Sequence, residues 1–309
     1  MKRIRTIDLR YRGLEGAAAS HLIRTDDGPM LVESGPMCTL PVLRESLERL
    51  DVDPTSIRLV VLTHIHLDHA GAAGWFAGHG AEIVVHPFGA RHLIDPDRLN
   101  ASARRIYGDD LDHLFGELQA CPESQVRLVE DGETISFGGV DLVAIETPGH
   151  ARHHHAWMLD LDGLRQCFTG DVAGMRIPGS AFPTLPLAPP EFEPELWIQS
   201  IDRLSALDFD RLHLTHFGSV DRPSTHLARV RNRVLRETEL VVRLLEDQAL
   251  DDPARLTAYR HWLQEDAEGE GVPADRFKAF VDSTLLAMNL SGVSRYLQRG
   301  PARERPRGA

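Results

Sequence analysis

Near the start of the chain, apolar and polar residues alternate in short runs. Residues 4–10, 21–24 and 30–33 each predict a strand, with Asp27-Gly28 supplying a turn between the second and third. Leucines then recur at helical spacing over 40–50, where Pro41 suits a first helical turn. Residues 57–62 form a short β-branched apolar run, as expected of a strand buried on both faces. A second such run, 83–85, follows a Gly/Ala-rich segment that reads as a helix packed close to a sheet. A helical stretch is expected over 101–119, then strands at 126–128, 140–145, 156–159 and 166–169. A proline-rich loop at 178–194 leads into a helix over 195–207 and a strand over 211–215.

Alternating strands and helices predict an α/β architecture with layered sheets for residues 1–222. The remainder has a different pattern. Residues 225–247 are charged, with leucine and valine at helical spacing, and similar patterns run through 255–265 and 276–297. Asp252-Pro253 and Val272-Pro273 interrupt them. Residues 223–309 therefore read as a helical C-terminal extension, with 299–309 a frayed basic end. Its amphipathic spacing requires cover from the α/β core or from a second subunit, so a homodimer is one expected form.

Composition narrows the choice of partners. A formal net charge of -12 disfavours nucleic acid and anionic membranes, both of which demand a positive face. No apolar run approaches the ~20 residues that span a bilayer. Residues 1–6 are charged and lack the apolar stretch of a secretory leader. Cys38, Cys121 and Cys167 are widely spaced and form no CxxC pair, which suits free thiols in a reducing compartment. A cytoplasmic location and a small-molecule substrate are expected. Sixteen histidines against three cysteines turn attention to imidazole chemistry.

The informative segment is Thr63-His64-Ile65-His66-Leu67-Asp68-His69, directly after the apolar run at 57–62. Sites of open sheets lie at such strand ends. In extended chain His64 and His66 point to one side and can converge on one ion, while Asp68 and His69 fall where the chain turns into a helix. His150 follows the strand at 140–145, Asp171 the strand ending at 169, and His216 the strand at 211–215. Every candidate ligand sits where a strand stops. Imidazole nitrogen and carboxylate oxygen suit divalent zinc, and iron or manganese are also compatible.

This pattern resembles the metallo-β-lactamase-fold hydrolases, which carry HxHxDH, then a separate His, an Asp and a final His in this order. The resemblance covers about residues 1–222 and implies an αββα sandwich with the site at one edge of the paired sheets. It implies that His64, His66 and His150 hold a first metal, that Asp68, His69 and His216 hold a second, and that Asp171 bridges them. Asp68 takes the position to which family members assign proton transfer. The helical extension is similar to that of the glyoxalase II-like and quinolone-response thioesterase branches. Asp171 stands where true zinc β-lactamases have cysteine or another residue, which argues against β-lactam hydrolysis. Flavodiiron relatives carry glutamate in place of His66.

Two metal ions would activate a water molecule and polarise the bond under attack. The leading expectation is hydrolysis of a small ester, thioester or lactone. A phosphodiesterase on the same centre is the hydrolytic alternative, and a mononuclear iron oxygenase of the persulfide dioxygenase kind, using His64, His150 and Asp171, is another. A non-catalytic metal-binding module would be expected to lose ligands. Among other residues, His154 and His86 are candidates to lie near the site. His153 and His155 read as strand residues with ordinary partners, His213 as structural, and Tyr107 and Arg176 as structural or surface positions.

Overall fold

A computed structural model of the chain describes residues 3–283 and 286–300. Its strands are β1 Ile4–Asp8, β2 Ala19–Thr25, β3 Gly28–Val32, β4 Leu59–Val61, β5 Glu82–Val85, β6 Val126–Leu128 and β7 Thr134–Phe137. They continue with β8 Val140–Glu146, β9 His155–Leu161, β10 Leu164–Gly170, β11 Met175–Arg176, β12 Pro183–Thr184, β13 Arg211–Leu214 and β14 Gly218–Val220. The chain divides into two compact units. The first takes in residues up to 146, then 153–170 and 209–221; the second takes in 147–152, 171–208 and the chain from 222 onward.

The first unit holds two six-stranded sheets, ordered β1-β2-β3-β4-β5-β6 and β14-β13-β10-β9-β8-β7. In the first sheet β1, β2 and β3 run antiparallel and β3 to β6 run parallel. Alternate residues of each sheet build one core between them. Met30 and Val32 of β3 and Leu59 and Val61 of β4 meet Val140, Leu142 and Ala144 of β8 and Trp157, Leu159 and Leu161 of β9. This is the period-two burial of a pleated strand. Leu31 and Val60, on the other face, are also buried. Helices α1 Leu40–Arg49, α2 Leu67–Ala70, α3 Ala73–Gly78, α4 Pro87–Ile94, α5 Asp97–Tyr107 and α6 Leu111–Leu114 belong to this unit. Leu40, Leu43 and Leu47 form the buried stripe of α1, with Pro41 in its first turn.

The expected helix at 101–119 is replaced by α5, which starts earlier, a 3-10 turn at Gly108–Asp110, and α6, which ends at Leu114. Pro87 opens α4 with His86 as its cap, the side chain accepting from Phe88 N. α5 starts directly after Pro96 and stops at Gly108, whose φ is 57°. Four strands, β7, β11, β12 and β14, lie outside the runs that the sequence pattern marks as strands. β7 joins β8 through Gly138-Gly139, a two-residue hairpin connection, and β14 is a three-residue edge strand.

The second unit contains α7 Pro194–Ser205, α8 Pro223–Glu246, α9 Asp252–Gly269, α10 Ala274–Ser283 and α11 Leu286–Arg299. Pro253 lies in the first turn of α9, and Pro273 directly precedes α10. The helical run expected over 276–297 is two helices; the residues between them, like 301–309 of the frayed end, lie outside the described residues. The short β11–β12 ladder falls partly inside the expected proline-rich loop. Ile177 and Phe182 beside it pack with Leu263 and Ala267 of α9 and Phe277, Phe280 and Val281 of α10. Among the described residues, no helix is long and apolar enough to cross a membrane.

Candidate metal centre

In the first unit, the chain leaves β4 into the His-rich segment under tight control. Trp157 Nε1 donates to Leu62 O at 2.9 Å and His155 N donates to Thr63 O at 2.7 Å. The β10–β13 register shifts between Phe168 and Gly170, a bulge at the strand end just before Asp171. Gly170 has φ 50°, and a Cβ there would stand 2.5 Å from Thr63 Oγ1 and 2.6 Å from His154 Nε2. Only glycine fits so close to the histidines.

The hub of this unit is a carboxylate that sequence reading passed over. Glu33 follows β3, is fully buried, and has φ 68°, a conformation that costs a non-glycine residue energy. Its Oε1 accepts from Thr63 Oγ1 at 2.5 Å, from His69 Nδ1 at 3.0 Å and from Thr215 Oγ1 at 3.3 Å. The signal was present: a carboxylate at a strand end, before Ser34-Gly35, obeys the rule that singled out the histidines.

These bonds set the tautomers. Thr63 has given its proton to Glu33, so its oxygen accepts from His64 Nδ1 at 3.0 Å. His69 has spent its Nδ1 proton on Glu33, and His216 Nδ1 donates to Ala17 O at 2.6 Å. In neutral imidazoles, Nε2 of His64, His69 and His216 then carries a lone pair. His216 Nε2 lies 3.3 Å from His69 Nε2 and 3.4 Å from Asp68 Oδ2. Acceptors so close repel one another unless a cation lies among them, so this donor set fits a divalent metal. Asp68, His69 and His216 each offer an atom within 4.8 Å of the others, as do Glu33, His64 and His69. The His64 and His66 rings are 4.5 Å apart.

The remaining histidines fall into two sets. His154 lies 5.0 Å from His64, ring to ring. His153, expected in a strand, instead precedes β9 and stands 6.1 Å from the His64 ring and 5.7 Å from that of His66. The strand begins two residues later, so the neighbouring loop carries this ring toward the pair. His155 opens β9 against His86, whose Nε2 is 3.4 Å from Glu146 Oε1. His213 bonds Gln166 Oε1 at 2.9 Å, away from the cluster. Two tyrosines flank Phe115, Tyr107 at 5.0 Å and Tyr11 at 5.9 Å between ring centroids. Burial and then the negative charge of Asp68 push both phenols up, Tyr107 to about 12, so both remain protonated donors. Tyr11 opens a three-residue 3-10 turn, with no sequence pattern to flag it.

In the second unit, His150 and Asp171 come together. His150 Nδ1 donates to Pro186 O at 2.9 Å, leaving Nε2 as an acceptor 3.2 Å from Asp171 Oδ2. The same logic applies, and this pair too fits a cation. The Asp171 segment is held by Trp197 Nε1, which donates to Val172 O at 2.7 Å, and by His226 Nε2, 2.9 Å from Ala173 O. Ser200 Oγ donates to Pro148 O at 2.6 Å beside His150. Arg176 spends its guanidinium on Ser180 O.

Residues 13–216 match the family model of the metallo-beta-lactamase superfamily. The chain belongs to that superfamily. Its fold is the family's α/β sandwich, followed by a helical C-terminal region. The metallo-beta-lactamase fold-containing protein ST1585 of Sulfurisphaera tokodaii is 34% identical over 166 residues, 52% of this chain and 60% of its own length. A hydroxyacylglutathione hydrolase of Hahella chejuensis is 24% identical over 188 residues, 61% of this chain and 56% of its own. The chain thus spans less than two thirds of the length of either relative. The crystal structure of ST1585 superposes with a TM-score of 0.66 at 22% identity, covering 95% of this chain and 99% of that one. It supports the fold alone. A superfamily that includes hydrolases, with His, Asp and Glu groups able to bind metal, is the frame for function.

Proposed function

We propose that the protein is a metal-dependent hydrolase of small esters, thioesters or lactones. In this reading His64, His66 and His150 hold one divalent ion, Asp68, His69 and His216 a second, and Asp171 serves both, with zinc the first candidate. The observation that carries it is the set of imidazole Nε2 and carboxylate oxygen atoms that face one another as acceptors in each unit.

When bound, the metals supply an activated water and a Lewis acid for the carbonyl under attack. The chain's own residues do the rest. Glu33 and Thr63 keep His64 and His69 in the tautomer that presents Nε2. In this reading Asp68, a quarter exposed, would accept and return a proton during hydrolysis. Tyr11 and Tyr107 offer neutral hydroxyls to a substrate oxygen. The acyl assignment rests on the kinship with a hydroxyacylglutathione hydrolase and on the acidic balance of the chain, which disfavours a polynucleotide. Three free cysteines suit a reducing compartment, and we place the protein in the cytoplasm.

Elemental analysis of protein purified without added metal, followed by an ester, thioester, lactone and phosphodiester panel, tests this directly. About two ions per chain and cleavage of a carbonyl substrate, lost in His66→Ala and after chelation, are expected. One tightly held iron and no second ion would replace the reading with a mononuclear oxygenase. Faster turnover of bis(p-nitrophenyl) phosphate than of every carbonyl substrate would replace it with a phosphodiesterase.

A further inference from the structure

The helical part of the second unit contains a buried polar network that the chemistry above does not use. Glu237 on α8 and Tyr259 on α9 are fully buried, and Asn289 on α11 nearly so. The Tyr259 hydroxyl bonds Glu237 Oε1, and Asn289 Nδ2 donates to Tyr259 Oη at 2.7 Å. Arg233 on α8 lies 4.0 Å from Glu237 Oε2, pairs with Asp266 of α9 at 2.6 Å, and packs its guanidinium 4.4 Å from the Phe182 ring centroid. Burying polar groups is costly unless they are bonded, so a network of this size in a helical core calls for a reason.

Its far end supplies one. Asn289 Nδ2 also donates to Leu185 O at 2.8 Å, and Asn289 Oδ1 accepts from Leu187 N at 2.9 Å. One amide thus grips the backbone on both sides of Pro186. Reversing that amide would set an N–H against the Leu187 N–H, so its orientation is fixed. Gly292, one turn along α11, lets the helix backbone lie against the same strip; a Cβ there would stand 1.7 Å from Leu187 O. Pro186 is the residue whose carbonyl receives the His150 Nδ1 proton.

We propose that Asn289 is a positioning residue for His150. Held by Tyr259 and Glu237, it fixes the 185–187 backbone so that the Pro186 carbonyl locks the His150 ring with Nε2 presented to the metal. The proposal rests on the reading of His150 as a ligand, but the clamp itself is a property of the metal-free chain. Outer hydrogen-bond partners of metal-bound histidines typically govern 10–100-fold in affinity.

Two measurements on the full chain test it. The first is the ring 15N shifts of His150 in histidine-labelled, metal-free protein, assigned with His150→Gln. The second is zinc affinity by competition with a chromophoric chelator. Asn289→Asp and Asn289→Ala are compared with Leu263→Ala, a substitution in the α9 core that destabilises the same helices without touching 185–187. We expect the parent and Leu263→Ala to hold one tautomer, protonated at Nδ1, and to share one zinc affinity. The Asn289 variants should show mixed tautomers and a zinc Kd raised about 10-fold or more. Should they fail to fold, Tyr259→Phe, which removes only the bridging hydroxyl, carries the same comparison. An unchanged tautomer in these variants overturns the clamp. Mixed tautomers in a protein whose parent binds no zinc would uphold the clamp and instead refute the metal-centre reading.

Discussion

The Glu33 carboxylate and the His69 imidazole meet at 3.0 Å with neither side chain exposed to solvent. A buried carboxylate that accepts this proton and one from Thr63 settles which nitrogen each of two candidate ligands presents. Replacing Glu33 with Gln keeps the shape but puts donors beside groups that must themselves donate. Zinc affinity should fall about 10–100-fold, as a chelator competition would show, and the melting temperature should fall with it. Unchanged affinity would remove Glu33 from the centre.

Gly170 gives a sharper steric test. Alanine there must adopt φ 50° and place a methyl group inside the contact distance of Thr63 and His154. A loss of roughly 1–3 kcal/mol from backbone strain alone is expected, with the clash added. Chemical denaturation of Gly170→Ala beside Gly163→Ala, whose positive-φ turn is open, separates the two contributions.

Two buried histidines of the first unit, outside the cluster, contribute to the response to acid. Burial and the nearby His213 push His21 down to about 3, and burial and then Arg211 push His213 down to about 4. The unfolded chain takes up these protons near pH 6.5, whereas the folded chain does not until well below. Their contribution to stability is therefore complete above about pH 6.5 and is lost as pH falls toward 4 and 3. Each should contribute a slope of about 1 kcal/mol per pH unit in that window. Urea midpoints from pH 7.5 to 5 should fall steeply for the parent and less steeply for His21→Phe.

Deleting the chain after Asp221 removes His226 from Ala173 and Asn289 from Leu185 and Leu187. The 147–152 and 171–208 segments, which bear His150 and Asp171, belong to the unit those helices build. We expect an insoluble product, or a soluble one with zinc affinity reduced well below that of the parent. A truncated protein that melts and binds zinc as the parent does would show the helices to be dispensable.

Strand ends were legible because burial on both faces leaves a run such as 57–62 with almost no polar residue, and polarity returns abruptly at Thr63-His64. The spacing of His64, His66, Asp68 and His69 was legible for the same reason. Glu33 was not singled out, because one acidic residue at a strand end looks ordinary until Thr63, His69 and Thr215 are seen around it. β7 carried its own signal in Gly138-Gly139, which the apolar run of β8 overshadowed. The break at Gly108 divides the helix expected over 101–119, where apolar spacing alone suggested continuity. The Asn289 network left no trace in hydrophobic periodicity, since its members occupy core-facing helix positions that the pattern assigns to apolar side chains.

Thr215 donates to Glu33 across 182 residues of sequence. Between them lies the parallel pairing of β10 with β13, a long-range contact of the kind that folds slowly. As the chain leaves the ribosome, Glu33 and its apolar strands emerge long before the residues that complete their surroundings. Until residue 215 is synthesised, the nascent chain carries a carboxylate destined for the interior, and β14, the edge strand of the second sheet, follows later still. Apolar strands and unpaired edges exposed at that stage are the features that make nascent chains prone to aggregate, and the last candidate ligand, His216, arrives only when translation of the sandwich is almost finished.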